Sequence, residues 1–315
     1  MKFNKATFIG ISKSSLEQNY WKRINKLTKE KVFLPKNSLE IKKHLADTDC
    51  LLVGFGVNVS KEDIDKAPHL KYIGVFATAY GKIDSEYAKK KKVIVCNLAG
   101  YSTESVAEFV LAAILEVVKG ICEGKRRGKT GNYSEAGISA FEIKDKIFGV
   151  IGLGHIGTRI AELALGLGAD VRYWSRNRKR DAEKKGIRYE ELNKLISKSD
   201  FVSINLALNK ETENIFNKKR FQEVKKGAVI INTAPMELVN IEGLVKRLEK
   251  KDITFVLDHS DEMSQKDLKN LSKYENCIIY PPMAYITKEA GIMRQEMFTS
   301  NIENFLKGKP TNKVN

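Results

Sequence analysis

A chain of 315 residues, 42% apolar and 30% charged, is long enough for two ordinary cores rather than one. It has no uncharged apolar run of about eighteen residues, which excludes a helical membrane span, and the opening MKFNKATFIGISKSS is too polar for a secretory signal, so the cytoplasm is the expected compartment. The net charge of +16 raises nucleic acid as a partner, but the basic runs at 89–92, 124–129 and 176–180 carry no interleaved aromatics for base stacking, and the excess reads as a lysine-rich surface.

Residues 1 to about 100 alternate short apolar runs with helical stretches. CLLVGFG (50–56), YIGVFATA (72–79) and VIVCNLA (93–99) predict strands ending in small residues. Between them, SKEDIDKAP (60–68) and DSEYAKKK (84–91) have a helical pattern, and the lysines at 89–92 suit a helix C-terminus. Such alternation implies a parallel sheet with crossover helices.

STESVAEFVLAAILEVVKGI (102–121) predicts a helix with Ser102 as N-cap, Glu104 in the first turn and Gly120 near its end. Apolar nearly all round, it is expected to be buried. EGKRRGKTGNYSEAG (123–137) then reads as a surface connection.

A second alternating series begins at 146. Strands are expected at 146–151, 170–174, 200–206, 228–233, 253–257 and 277–280. Helices are expected from 155, near 190, at 217–225 and at 241–250. The final TKEAGIMRQEMFTSNIENFLKGKP (287–310) reads as one amphipathic helix stopped by Gly308 and Pro310. The fold class is therefore α/β, with two Rossmann-like lobes on parallel sheets. Cys50, Cys96, Cys122 and Cys277 are dispersed without a CxxC pair, so buried reduced thiols and no metal site are expected.

The strongest motif lies in FGVIGLGHIGTRIAELALGLGADVRYWSRNRK (148–179). An apolar strand runs into Gly152-x-Gly154-x-x-Gly157, and a helix follows at once. The first glycine permits a tight turn, the second admits a pyrophosphate, and the third lets helix and strand pack closely. At the end of the next strand an NAD site usually has Asp or Glu on the ribose. Here Ser175, Arg176, Asn177 and Arg178 stand instead, a set suited to a 2′-phosphate, so NADP(H) is favoured over NAD(H).

The stretches at 68–112, VIGLGHIG (150–157), VIINTAPMELVNIEGLVKRL (229–248), FVLD (255–258) and YPPMAYITKEA (280–290) resemble the D-isomer-specific 2-hydroxyacid dehydrogenases almost from end to end. The closing ENFLKGKPTNKVN (303–315) does so too. The resemblance implies an NAD(P)-binding Rossmann domain, 101–284, inserted in a flavodoxin-like substrate domain formed by 1–100 and 285–315. It implies a homodimer, and a dinucleotide lined by Thr103, Gly152, Gly154, His155, Ile156, Gly157, Ser175, Arg176, Arg178, Leu206, Thr212, Thr233 and Asp258. The loops GFG (54–56) and TAYG (78–81) would offer amides to a small anionic substrate. NLALNKET (205–212) departs from the family in lacking its usual proline and threonine.

At three further places the chain departs from what the resemblance implies. Relatives follow INTA with an arginine that grips the 2-oxoacid; here Pro235-Met236 follows. The family's glutamate, five residues past the aspartate of FVLD, corresponds to Met263, with Glu262 one step away. The catalytic histidine, which follows a proline, corresponds to Pro282. Hydride addition to a ketone builds charge on oxygen and needs an acid and a preorganised cation. Proline and methionine supply neither, so ordinary 2-oxoacid reduction is expected to be lost. Replacement groups would be His259, with Asp261 and Glu262 nearby, Tyr80, Tyr101 and Tyr285; Arg294 reaches an anion only if its helical register allows.

Two readings compete. One is an NADP(H)-dependent oxidoreductase with altered chemistry, in which a different electrophile dispenses with the missing groups. The other is a non-catalytic NADP(H)-binding pseudoenzyme, a redox sensor or partner subunit. A nucleic-acid binder ranks below both.

Overall fold

A computed structural model describes residues 2–260 and 263–315. Its packing divides into two compact units, Met1–Ser102 with Thr287–Asn315, and Thr103–Ile286.

The first unit carries β1 (Phe3–Ile9), β2 (Thr28–Leu34), β3 (Cys50–Val53), β4 (Tyr72–Val75) and β5 (Ile94–Cys96). They pair in parallel in the order β2-β1-β3-β4-β5, the flavodoxin-like arrangement. Every residue of β3 and β4 is buried, as a strand covered on both faces requires. β1 and β2 escape the sequence reading because lysines interrupt them. Lys5 is buried in β1, and its Nζ reaches Asp47 at 2.7 Å.

Side-chain caps set where the short helices begin. Ser60 and Asp63 form a capping box before Lys61–Asp65, and Asp84 accepts from Tyr87 N before Ser85–Lys90. The last helix, Lys288–Leu306, starts where Thr287 accepts from Ala290 N. Phe298 and Ile302 bury it against this sheet's core, and Asn301 donates to the Asn97 carbonyl at 2.9 Å. The tail then runs beside β5, with Asn97 N and Val314 N donating to the carbonyls of Asn312 and Val95. That contact covers an edge strand.

The second unit carries β6 (Ile147–Ile151), β7 (Asp170–Trp174), β8 (Arg188–Tyr189), β9 (Phe201–Ile204), β10 (Val229–Asn232), β11 (Thr254–Leu257) and β12 (Cys277–Ile279). All pair in parallel, in the order β12-β11-β10-β9-β6-β7-β8. Strand order reverses between β6 and β9, the switch point at whose carboxyl ends open α/β sheets take their ligands. The helices Thr103–Lys119 and His155–Gly166 share one core, with Ala107, Ala113, Ala161 and Ala164 buried in it.

Two expectations need correction. Gly120 adopts φ 61°, but the helical path resumes at once as Ile121–Lys129, so the stretch read as a connection is helical in its first half. Glu123 accepts from both Arg126 and Arg127 there, which holds its carboxyl down at about 2. Cys50, Cys96 and Cys277 are buried, whereas Cys122 is exposed on that helix and donates to Glu116. The sequence reading also lacks β8 and the helix Gln265–Leu271. Among the described residues, no helix is long and apolar enough to cross a membrane, and no group of three or more His, Cys, Asp and Glu side chains could hold a metal ion.

Candidate dinucleotide site

The glycine turn is built by contacts that differ at each position. Gly152 follows β6 with φ +94°, and a Cβ there would meet Asn205 O at 2.6 Å. Its N–H donates to Trp174 O, which ties the ends of β6 and β7 together. A Cβ at Gly157 would lie 2.0 Å from Gly152 O, so only glycine lets helix and turn approach this closely. Gly154 differs: a Cβ there would meet nothing within 4 Å. It precedes the helix His155–Gly166 and offers no capping side chain. The leading N–H groups of that helix, on His155, Ile156 and Gly157, have no acceptor within the helix, and the space beside Gly154 is open. This cradle fits a pyrophosphate, which such amides bind through their partial positive charge.

Beyond β7, the residues expected to meet a 2′-phosphate are already engaged. Ser175 is buried and its hydroxyl donates to Asn177 O at 2.7 Å, closing a turn. Arg176 pairs with Glu211 at 2.9 Å, both side chains exposed. Arg178 pairs with Glu183 at 2.8 Å and lies 5.1 Å from the Tyr189 ring centre. Exposed pairs of this kind are weak, about 0–1 kcal/mol, so a phosphate can displace the carboxylates. Glu211 went unseen in the sequence because it stands thirty-five residues from Arg176, whereas Glu183 is only five residues from Arg178.

Across the switch point, Leu206 packs against the glycine turn, its Cδ2 being 2.8 Å from a Cβ placed on Gly152. Thr212 lies further along the same loop, its hydroxyl donating to Ala207 O and its N–H to Asn209 Oδ1. Thr233 and Asp258 follow the paired ends of β10 and β11. Thr103 is the half-buried first residue of its helix.

His259 Nε2 donates to Thr233 O at 3.1 Å, and the nearer oxygen of Asp258 is 4.0 Å away. The ring thus ties the two strand ends together, and its Nε2 proton is held by a carbonyl. Asp258 is buried and its Oδ2 accepts from Ala284 N at 2.9 Å, while Ser105 donates to Ala284 O at 2.7 Å. Those two side chains fix the turn holding Pro282, a role that sequence reading missed. Ser105 is only one of several small residues on its helix.

Pro235 is half-buried and leads into the turn Met236–Leu238. Met236 faces the core and its sulfur accepts from Asn232 Nδ2 at 3.2 Å. Met263 packs on the same core cluster, and Pro282 is half-buried. Asp261 and Glu262 lie outside the described residues. Tyr80 and Tyr101 belong to the first unit, each half-buried against a different core cluster, and Tyr285 is exposed on the second.

The sequence profile described as D-isomer specific 2-hydroxyacid dehydrogenase, NAD binding domain, matches residues 111–284. The chain belongs to that family. It is 32% identical over 282 residues to a glyoxylate reductase of Thermofilum pendens, covering 87% of this chain and 83% of the relative. A hydroxypyruvate reductase of Blautia hydrogenotrophica is 31% identical over 264 residues, covering 81% of each. Among solved structures, an acyclic imino acid reductase in complex with NADPH and D-Arg superposes with TM-score 0.87 at 28% identity, over 99% of this chain and 100% of that one. The D-lactate dehydrogenase of Aquifex aeolicus with NAD and lactic acid gives 0.86 at 26% identity, over 96% of both. The chain is thus a nicotinamide-dinucleotide-binding member of an oxidoreductase family.

Proposed function

We propose that this protein is an NADP(H)-dependent reductase of a small imino acid, built on a D-2-hydroxyacid dehydrogenase scaffold that no longer reduces 2-oxoacids. The observation that carries this reading is the set Pro235, Met263 and Pro282, at the places where the family keeps its arginine, glutamate and histidine. The dinucleotide, when bound, supplies a hydride. A ketone that accepts hydride becomes an alkoxide, which needs a proton and a nearby cation. A protonated imine already carries both the proton and the positive charge. Hydride addition to its carbon moves the C=N π pair onto nitrogen and leaves a neutral amine. No protein acid is required in that step, and a cation facing the nitrogen would oppose binding of the iminium. Loss of the arginine and the histidine then follows from the electrophile. The likeness to the imino acid reductase solved with NADPH and D-Arg supports the same reading.

The dinucleotide is held by Thr103, the Gly152–Gly157 turn, Leu206, Thr212, Thr233 and Asp258. Ser175 shapes the turn that presents Arg176 and Arg178 to a 2′-phosphate. His259 positions the ends of β10 and β11 rather than delivering a proton. The second unit, Thr103–Ile286, serves as the nucleotide domain, and the first, Met1–Ser102 with Thr287–Asn315, as the substrate-type domain, a shift of two residues from the bounds expected at 100/101 and 284/285. Exposed Ile121, Tyr133, Ile138 and Phe141 support a homodimer through the nucleotide domain.

The test is NADPH oxidation by pyruvate or glyoxylate, with and without methylamine, at rising enzyme concentration. Turnover should require the amine. A rate proportional to enzyme with the 2-oxoacid alone would overturn the proposal. NADPH binding without turnover in either mixture would favour the non-catalytic reading.

A further inference from the structure

Arg294 sits half-buried on the last helix, Lys288–Leu306. Its guanidinium carbon is 4.7 Å from the centre of the Phe76 ring. That ring is pinned in turn by Phe298, in a T-shaped contact with centroids 4.8 Å apart. The buried Nε of Arg294 has no hydrogen-bond acceptor among the described residues, and no carboxylate there lies within ion-pair distance.

Among the described residues, Arg220 is also half-buried without an ion pair, but it donates to Asn193 Oδ1 and the Ile215 carbonyl, and other sheltered arginines are paired with carboxylates. Arg172 holds Asp170 and Glu190, and Arg247 holds Asp252 and donates to the Val224 carbonyl. The contrast is sharpest on the same helix: Arg23 takes both Glu296 and Glu303, while Glu17 accepts from Gln295. Glu296 and Glu303 are thus engaged by Arg23, Glu289 is exposed in the first turn, and Arg294 is left with an aromatic floor.

Its place in the fold gives that cation a use. Phe76 is the first residue past β4, and its N–H donates to Val53 O at the end of β3. Arg294 therefore stands over the carboxyl edge of the first sheet, where open parallel sheets take their ligands. An aromatic face fixes the guanidinium plane and partly dehydrates it, which preorganises its donor fork for a planar anion. Leaving that charge unneutralised in a sheltered place is costly, and an incoming carboxylate removes the cost.

We propose that Arg294 is an anion-binding residue of the first unit that receives the carboxylate of a small amino or imino acid. A single fork on an apolar floor suits a planar monoanion better than a phosphate dianion. Assigning that carboxylate to the substrate rests on the proposed imine reduction; the anion site itself does not.

The experiment titrates the full-length protein, in the presence of NADPH, with D-alanine and with D-alaninamide, which lacks the carboxylate. Arg294→Gln should weaken D-alanine about 10- to 100-fold, the range for one charged hydrogen-bonded contact, and leave D-alaninamide and NADPH unchanged. Arg294→Lys should restore part of the affinity, since charge returns without the fork. Lys36, whose Nζ is 3.9 Å from a Cβ placed on Gly56, is another, exposed cation at this edge, so Lys36→Gln controls for a general positive field. It should change D-alanine binding less than about 2-fold.

Equal D-alanine affinity in wild type and Arg294→Gln overturns the proposal, as does absence of carboxylate binding to the wild type. If Arg294→Gln does not fold, phenylglyoxal labelling of the wild type replaces it. D-alanine, but not D-alaninamide, should then slow modification of Arg294 as read by mass spectrometry, and equal rates overturn the assignment. Carboxylate binding that depends on Arg294, with no amine-dependent NADPH oxidation, would keep this site and discard the imine reaction.

Discussion

Replacing Gly154 and Gly157 by alanine, one at a time, should separate loss of ligand from damage to the fold. At Gly154 the backbone is extended, with φ −81° and ψ −161°, and an added Cβ meets no atom within 4 Å. The variant should fold as well as the wild type, or melt about 1–4 °C higher through reduced freedom of the unfolded chain. NADPH affinity should fall about 10- to 100-fold, because the methyl occupies the face where phosphate meets the amides of His155, Ile156 and Gly157. At Gly157 the Cβ would sit 2.0 Å from Gly152 O and 3.2 Å from Val150 Cγ1, so helix and turn must move apart. Overpacking of that kind costs about 1–3 kcal/mol, or about 2–12 °C in Tm for a unit of this size. Calorimetric titration with NADPH and a thermal melt of each variant give the two readouts. Undiminished NADPH binding by Gly154→Ala would refute the assignment of the open face as the phosphate cradle. An unchanged melt for Gly157→Ala would refute the packing argument.

The double variant Arg176→Gln/Arg178→Gln should weaken NADPH and leave NADH unchanged; Glu211→Gln, which frees Arg176 from an exposed pair, should tighten NADPH by up to about 5-fold, and parallel titrations check both. Hydrogen bonds from Arg23 hold the carboxyls of Glu303 and Glu296 below their ordinary range. That stabilisation is complete above the pH at which unfolded glutamate titrates and is lost as pH falls through the lowered folded values. Arg23→Met should therefore cost about 1–2 kcal/mol at neutral pH and much less at about pH 3, as urea unfolding at the two pH values would show. The hydrogen bond to Glu116 pushes the Cys122 thiol up. A disulfide reagent should find one accessible thiol, reacting more slowly at pH 8 than a free cysteine, and Glu116→Gln should speed it; equal rates would contradict the contact.

The alternation of apolar runs with helical stretches, the glycine turn and the presence of Pro235, Met263 and Pro282 can all be read along the chain. Each is a local matter: side-chain periodicity, the backbone freedom of a residue, or the chemistry a side chain lacks. Strand order could not be read, and β1, β2 and β8 stayed hidden: Lys5 looks like surface until Asp47 is brought against it, and β8 is two residues long with Arg188 exposed. The same limit explains the charges. Nothing near Arg176 in sequence tells that Glu211 holds it, or that Arg23 rather than Arg294 takes Glu296 and Glu303 of the last helix. Which cation is left without a partner depends on distances between residues far apart in the chain. Packing decides that, and it set Arg294 on Phe76 with no acceptor for its Nε among the described residues.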